Sequence, residues 1–263
     1  MTWYTGDPVF DTVLAVGLAF AVVTLLGSIF VPAPYGRFAQ GSGVNLHPKL
    51  GWWLMEIPAT VVFLFFFLQS SPEAWTTTTL VLAGIWLLHY GNRGWFFPLA
   101  IRAAPGARSS FSLMVMAMGM FVTAIHGYLH AMWFTEYGNH LTPEWLTDPR
   151  FVIGLAIYAL GLFLILTSES VMRHLRPPNP PADAPRYRIP YGFGFRWVSN
   201  PQYLGEIIAW TGFAVLTWGL PGVMILLITA SNLVPRALAT HRWYREQFPD
   251  YPPERRALIP YVI

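Results

Sequence analysis

Long apolar runs constrain this chain more than any other feature of its sequence. A helix needs about 20 mostly apolar residues to cross the hydrocarbon core of a bilayer. Only 11% of the residues are charged, whereas a soluble domain carries roughly a quarter. We therefore predict an all-α, multi-pass integral membrane protein with seven transmembrane helices in a single domain, residues 1–263. The predicted spans are residues 12–32, 51–69, 75–98, 111–132, 151–169, 203–219 and 221–235.

The distribution of basic residues predicts the orientation of these helices. Cytoplasmic loops of membrane proteins are enriched in arginine and lysine. With seven spans and the N-terminus outside, most basic residues fall in the inner connections, while acidic residues such as Asp7, Glu73 and Glu144 fall in the outer ones. The C-terminus is then cytoplasmic, in a bacterial inner membrane or, for a eukaryotic chain, in the endoplasmic reticulum.

The connections between the later spans differ in length. Residues 219–222 contain two glycines and a proline and predict a tight turn between the last two spans, although one long kinked helix is the alternative. The stretch 172–202 is rich in proline and glycine, so we expect a loop rather than a domain. Asn200 and Pro201 near its end are typical of a capped helix start.

Several kinds of chemistry are excluded or unsupported. The chain has no cysteine, which excludes disulfides, thiolate nucleophiles and cysteine-ligated metals. It also lacks the glycine-rich patterns of Rossmann and P-loop nucleotide sites. His126 and His130 have a spacing that can bind metal, but we expect them near the outer end of the fourth span and interpret them as structural, with no metal site. Nucleic acid is not an expected partner, because the basic residues belong to membrane-bound loops.

Ionisable side chains inside the spans are the main functional candidates, because such a side chain is costly unless it faces the bundle interior. Glu56 lies in the second span, Tyr90 and Glu169 lie near the ends of the third and fifth, and Glu206 begins the sixth. On the predicted topology all four fall in the inner half of the membrane, which indicates one site. Each carboxylate could instead only pair with an arginine, as Glu169 could with Arg173. Glu56 has no basic residue within a turn on its own helix, which favours a functional role.

The inner loops hold more arginine than orientation requires, mixed with aromatic residues. Examples are Tyr187–Arg188, Arg236 and the segment 241–244. Guanidinium groups bind phosphate with two parallel hydrogen bonds. This pattern favours a phosphorylated ligand, although basic loops also meet anionic lipids.

Several segments resemble the steroid 5-alpha-reductase family. The most specific lie in the last third of the chain, and others are similar to the N-terminal half of the family, so that the resemblance covers nearly the whole chain. The segments are Tyr35–Arg37, Gly51–Ala59, His89–Arg93, Tyr187–Pro190, Trp197–Ile208, Asp250–Pro252 and Arg256–Pro260.

The resemblance implies a seven-helix oxidoreductase that transfers hydride from NADPH to the carbon–carbon double bond of a 3-oxo-4-ene steroid or a related enone lipid. Glu56 and Tyr90 match the family's polar pair that holds the substrate ketone, with Trp52 and Met55 beside them in a pocket formed mainly by spans one to four. Spans five to seven and the cytoplasmic loops would bind the cofactor. Residues that match or approximate cofactor-binding positions are Arg37, Arg102, Glu169, Arg173, Arg176, Tyr187, Arg188, Gln202, Glu206, Arg236, His241 and Tyr244.

The chain departs from the family's pattern at some of these positions. Met55 stands where the family has a glutamine before the substrate glutamate, which removes an amide from the catalytic group. Gln202 replaces an asparagine and Glu169 replaces an aspartate, and both replacements keep the polarity. The alanines at 103–104 stand in a stretch that is more basic in the family, so fewer phosphate contacts are expected there.

Other functions stay open at this point. Reductases of sterol rings, enoyl thioesters and polyprenols share the same general membrane fold by resemblance, and so do isoprenylcysteine methyltransferases. A methyltransferase would bind S-adenosylmethionine, which has no phosphate and would leave the inner arginines without a purpose. A transporter or lipid-binding scaffold would bind no cofactor. We expect a steroid or lipid-like enone and membrane lipids as partners, and a monomeric protein.

Overall fold

Helices dominate the structure, a computed structural model that describes residues 4–30, 35–38, 44–102, 110–178, 181 and 183–263. The strands in these residues are β1 (Asn45–Leu46) and β2 (Phe111–Ser112), which pair antiparallel with Leu46 opposite Phe111. The predicted all-helical character is confirmed apart from this short ladder. The α-helices are α1 (Pro8–Phe30), α2 (Pro48–Gln69), α3 (Thr77–Tyr90), α4 (Phe97–Ala100), α5 (Leu113–Met132), α6 (Pro149–His174), α7 (Pro201–Thr217) and α8 (Leu220–Gln247).

All seven predicted apolar runs fall on helices, and five helices in the described residues are long and apolar enough to cross a membrane. The third run is divided between α3, a π-helical segment at Gly91–Phe96 and α4, while the sixth corresponds to α7, which has 17 residues. The last residues of the first predicted span, 31–32, lie outside the described residues. The five candidate spans are Pro8–Phe30, Pro48–Gln69, Leu113–Tyr137, Pro149–His174 and Leu220–Gln247.

The predicted helix ends are wrong by a few residues in most cases. Helices α1, α2, α6 and α7 each begin at a proline that precedes the apolar run. Proline is favoured at the first helical position, because its missing N–H would have no partner there. Helix α8 continues to Gln247 rather than ending at 235, since a helix can extend past the apolar run once its polar residues reach water.

Polar side chains cap three of these starts, namely Asp7 before α1, His47 before α2 and Asp148 before α6. Asp148 accepts a hydrogen bond from the backbone N–H of Arg150 at 2.8 Å before α6. Asn200 and Pro201 stand at the start of α7 as predicted, but the Asn200 side chain does not cap the helix. Its amide nitrogen instead donates to the carbonyl oxygens of Ala237, at 3.2 Å, and Ala257, at 3.0 Å. Asn200 therefore ties the start of α7 to α8 and to the C-terminal tail.

A tight turn separates α7 from α8, as predicted, so the alternative of one long kinked helix is wrong. Helix α7 ends at Thr217, and Trp218 adopts a left-handed backbone with φ of 45°. Helix α8 begins at Leu220, directly after the extended Gly219. Two antiparallel neighbours of this kind place the residues at the start of α7 beside the second half of α8.

The π-helical segment Gly91–Phe96 follows α3 directly and contains Arg93. Phe97 donates its backbone N–H to the carbonyl of Asn92, five residues earlier, and Pro98 has no N–H to continue an α-helical ladder. Such π segments insert an extra residue into a helix and occur often at functional sites. Here the widened turn changes the direction of the residues after Tyr90.

Glycines allow α6 and α7 to pack with their backbones in contact. A Cβ atom at Gly161 would run into the backbone of Gly205 and Ala209, and one at Gly154 into the backbone of Gly212 and Leu216. Small residues of this kind permit close helix approach inside membranes, where van der Waals packing drives association. The two helices therefore form a rigid pair that carries Glu169 on one member and Glu206 on the other.

Candidate active site

A cavity of about 770 Å³ lies inside the helix bundle. Residues of α1, α2, α3, α5, α6, α7 and α8 line it. Cavities of roughly 300–1,000 Å³ accommodate small-molecule ligands and cofactors. The structure brings the four ionisable groups of the spans to this cavity, since Glu56, Tyr90, Glu169 and Glu206 all line it.

Arg93 joins two of the buried carboxylates. Its Nε lies 3.1 Å from Oε1 of Glu56, and its Nη1 lies 3.2 Å from Oε1 of Glu206. On the other side of Glu206, Oε2 lies 3.9 Å from Nε2 of His89. Glu56, Glu206 and His89 are all buried. These four groups thus form one network on the cavity wall. Glu56 comes from α2, His89 from α3, Arg93 from the π-helical segment and Glu206 from α7.

The sequence interpretation did not select Arg93 as a functional candidate, although its position inside a predicted span indicates one. Arg93 lies within the predicted span 75–98, so the rule that selects Glu56 selects it as well. The interpretation of Glu56 considered only partners on its own helix, and the actual partner comes from the π segment after α3. Conversely, the described residues show no Glu169–Arg173 ion pair, and Glu169 instead accepts a hydrogen bond from Nδ2 of Asn92 at 3.4 Å.

Aromatic rings and methionines surround Glu56 and Tyr90, which we call the acid–phenol pair. The guanidinium carbon of Arg93 lies 4.7 Å from the ring centroid of Trp52, which lines the cavity as predicted. Met55 also lines it, and its side chain occupies the space beside Gly119. Thr123 fixes the turn of α2 that bears Met55 by donating its hydroxyl to the Met55 carbonyl at 2.7 Å. This part of the cavity can receive an apolar ligand.

Arginines line another part of the cavity. Arg102, Arg173 and Arg176 are all on its wall, together with Gln202 of α7. Arg102 donates to the carbonyl of Arg176 at 2.6 Å, and Arg176 donates to the carbonyl of Arg102 at 2.9 Å. This reciprocal pairing holds the end of α6 against the chain after α4. The alanines at 103–104 lie outside the described residues.

A second basic cluster lies near this arginine group without lining the cavity. Nη2 of Arg37 donates to the hydroxyl of Tyr244 at 3.1 Å, and its guanidinium carbon lies 4.7 Å from the Trp243 ring centroid. Tyr187 packs edge-on against Trp243, with centroids 4.8 Å apart. Burial lowers the pKa of the Arg176 guanidinium, and the nearby charges of Arg186 and Arg37 lower it further. The positive charges of Arg37, Arg176 and Arg186 therefore lie close enough to affect one another.

Three predicted cofactor residues lie elsewhere. Arg236 is buried against the ring of Tyr35, 3.6 Å from its centroid, and Nε donates to the hydroxyl of Tyr203 at 3.0 Å. Nδ1 of His241 lies 2.6 Å from Oγ of Ser199, in the contact between α8 and the C-terminal tail. Arg188 is exposed in the loop after α6. Arg236 supports two cavity-lining tyrosines, whereas His241 and Arg188 have no place on the cavity wall.

The histidine pair of α5 lies closer to the site than the sequence suggests. We expected His126 and His130 away from the polar groups, yet the His126 ring centroid is 5.8 Å from that of Tyr90 and 4.4 Å from that of Trp86. Both histidines are buried. The expectation was wrong because α3 carries Tyr90 past the middle of α5. The described residues contain no group of three or more histidine, aspartate or glutamate side chains placed to hold a metal ion.

These features define the class of this protein: a multi-pass membrane protein with an internal cavity whose wall carries apolar residues, a group of arginines and a buried ionic network. The model of the 3-oxo-5-alpha-steroid 4-dehydrogenase family matches residues 109–263. The chain belongs to this family, as the resemblance predicted.

Individual relatives extend the match over most of the chain. 3-oxo-5-alpha-steroid 4-dehydrogenase 1 of Rattus norvegicus is 32% identical over 92% of this chain and 91% of its own length. Steroid 5-alpha-reductase DET2 of Gossypium hirsutum is 35% identical over 92% of this chain and 93% of its own. The DET2 protein of Arabidopsis thaliana is 34% identical over 89% and 88%, respectively.

Proposed function

We propose that this protein reduces the 4,5 double bond of a 3-oxo-4-ene steroid, or the conjugated double bond of a related enone lipid, with NADPH as the hydride donor. One observation carries the proposal: a buried acid, Glu56, and a phenol, Tyr90, share a cavity with a group of arginines. The names of the relatives supply the substrate class.

We also propose that the chain has seven membrane spans, with the N-terminus outside and the C-terminus in the cytoplasm. In that arrangement α3, the π segment and α4 together make the third span, and α7 makes the sixth. The basic part of the cavity then opens toward the cytoplasm, where NADPH is available. We expect a monomer, and one domain because residues from both halves of the chain line the same cavity.

The basic part of the cavity fits a dinucleotide with several phosphates. Arg102, Arg173 and Arg176 would bind phosphate oxygens, with Arg37 close by. Gln202 lines the cavity, and its Oε1 is buried without a hydrogen-bond partner in the described residues, so it can accept from a ligand amide. The bound cofactor would supply hydride, while the protein holds the ligands in register.

The acid–phenol pair would stabilise charge on the substrate ketone. Addition of hydride to a double bond conjugated with a ketone moves negative charge onto the ketone oxygen. Hydrogen-bond donors placed at that oxygen are worth about 2.7–4 kcal/mol each when they strengthen as the charge develops. The hydroxyl of Tyr90 is one donor. Glu56 is the other if its carboxyl group holds a proton.

The charge of the buried network favours such a proton. Glu56 and Glu206, both ionised, carry two negative charges, and Arg93 carries one positive charge. An excess charge buried away from water is costly, and a proton on one member removes it. A carboxyl group in this network can therefore donate a hydrogen bond to the ketone while Arg93 fixes its position.

Purified protein in nanodiscs tests the proposal directly. With NADPH and a 3-oxo-4-ene steroid we expect loss of absorbance near 340 nm and a product two mass units heavier than the steroid. S-adenosylmethionine with an isoprenylcysteine substrate is the parallel assay for a methyltransferase. Methyl transfer, or a steroid that binds without oxidation of NADPH, would contradict the proposed reaction.

A further inference from the structure

Exposed apolar side chains form a ridge outside the membrane-crossing helices, at the end of the bundle that the proposed orientation places on the cytoplasmic side. The loop before α7 and the C-terminal tail both contribute. Phe193 is 59% exposed, Trp197 49% and Tyr261 83%. We name this surface the aromatic ridge, and it consists of Tyr191, Phe193, Trp197, Ile259, Tyr261 and Val262.

Backbone hydrogen bonds join the two parts of the aromatic ridge into one body. Arg256 donates its N–H to the carbonyl of Trp197 at 3.0 Å and accepts from the N–H of Ser199 at 2.8 Å. Asn200 links the tail to α8 through its bonds to Ala257 and Ala237. The ridge is thus built on the start of α7, four residues from Pro201, at the level where this helix leaves the bundle.

Two aromatic residues of the ridge have a strained backbone. Phe193 has φ of 43° and Tyr261 has φ of 64°, a region that is unfavourable for residues with a Cβ atom. In water, the strain and the exposed ring would both cost free energy. A surface that covers the rings would offset both costs.

Exposed arginines occur in the same two segments as the ridge residues. Arg188, Arg196 and Arg256 are exposed, and the guanidinium carbon of Arg196 lies 6.0 Å from the Trp197 ring centroid. Tryptophan and tyrosine concentrate at membrane–water interfaces, and arginines beside them bind anionic headgroups. The ridge continues the surface of a membrane protein at the start of α7, so the membrane–water interface is the neighbouring environment with the right chemistry.

We propose that the aromatic ridge inserts into the headgroup region of the inner leaflet and that the three arginines bind anionic lipid there. The ridge would then anchor the loop of residues 183–199, which carries Tyr187 beside the second basic cluster. This anchoring does not depend on which reaction the cavity performs.

The absence of cysteine makes a site-specific test possible, because one introduced cysteine is the only one in the chain. Val262→Cys places a nitrobenzoxadiazole label on the ridge, and Glu254→Cys, exposed on the same tail, serves as the matched control. Each variant is placed at one copy per nanodisc, with lipids that carry a nitroxide near the headgroup. We expect the label at 262 to lose on the order of half its fluorescence, consistent with insertion by about 5–10 Å, and the label at 254 to lose little.

Two further variants separate the contributions of charge and rings. Arg196→Gln with Arg256→Gln should reduce quenching at 262 in discs with anionic lipid and change little in neutral discs. Phe193→Gly keeps the backbone conformation, which glycine adopts readily, and should reduce quenching in both kinds of disc. Equal quenching at 262 and 254 would overturn the insertion. Equal quenching in anionic and neutral discs would overturn the role of the arginines.

Discussion

Helices α6 and α7 pack backbone to backbone at their glycines, whereas the cavity-lining parts of α1, α2 and α5 border open space. Glycines such as Gly161 and Gly205 leave no room for a side chain between α6 and α7. On the other wall, Met55, Met114 and Met118 line the cavity, and methionine adapts its shape to what it contacts. The rigid pair carries Glu169, Gln202 and Glu206, which we propose as cofactor ligands, and in the same proposal the adaptable wall would face the substrate. From this difference we expect that substitutions in the contact between α6 and α7, which we call the seam, affect folding. Substitutions in the cavity should instead affect turnover.

Tyr90→Phe should give the largest effect. It removes the phenol that would donate to the ketone, and we expect kcat to fall by about 10²–10³-fold, as for the loss of an oxyanion donor. Steady-state oxidation of NADPH with steroid measures the change. Glu56→Gln should cost less, because its amide can still donate a hydrogen bond. Full activity in both variants would contradict the claim that Glu56 and Tyr90 bind the substrate ketone.

Gly161→Ala should destabilise the fold by about 1–3 kcal/mol, because the new Cβ overlaps the backbone of Gly205 and Ala209. Gly84→Ala is the matched control in α3, since a Cβ there has nothing within 4 Å. Alanine should make this helix neutral to slightly more stable, by at most about 1 kcal/mol. Thermal unfolding in one detergent compares the two variants. Equal melting temperatures would contradict the claim that the contact between α6 and α7 has no room for a side chain whereas Gly84 faces open space.

Arg176→Ala should raise the KM for NADPH on the order of tenfold, the effect of losing one hydrogen bond to a charged group. Arg188→Ala is the control, because Arg188 is exposed and lies off the cavity wall. Cofactor titrations at saturating steroid measure both. An unchanged KM in Arg176→Ala, or an equal rise in Arg188→Ala, would place the phosphates elsewhere.

Asp148→Asn, at the opposite end of α6, should have the smallest effect and no influence on turnover. Hydrogen bonds from the side chain and backbone of Arg150 lower the pKa of Asp148 to about 2. A carboxylate with a lowered pKa stabilises the fold above its unfolded value, near 3.8, and loses that contribution as the pH falls toward 2. The difference in melting temperature between wild type and variant should therefore shrink from pH 7 to pH 3. A constant difference would contradict this assignment.

The sequence was sufficient to predict the helices, but it did not predict which side chains contact one another within the site. Apolar runs predict helices because burial in lipid demands internal hydrogen bonds. They do not fix how each helix is rotated against its neighbours, so the pairing of Arg93 with Glu56 and the approach of His126 to Tyr90 were missed. The actual bonds of Asn200 depend on the C-terminal tail, more than 50 residues away, and no local signal predicts them. For the same reason, His241 matched a family position yet lies in the tail contact.

The carbonyl stretch of a bound steroid tests the central claim most directly. A 3-oxo-4-ene steroid labelled with ¹³C at the ketone, bound with NADP⁺, gives an infrared band that reports hydrogen bonding at the oxygen. We expect a band shifted to lower frequency than in an apolar solvent, and a smaller shift in Tyr90→Phe and in Glu56→Gln. A wild-type band at the apolar-solvent position would contradict polarisation of the ketone by this pair.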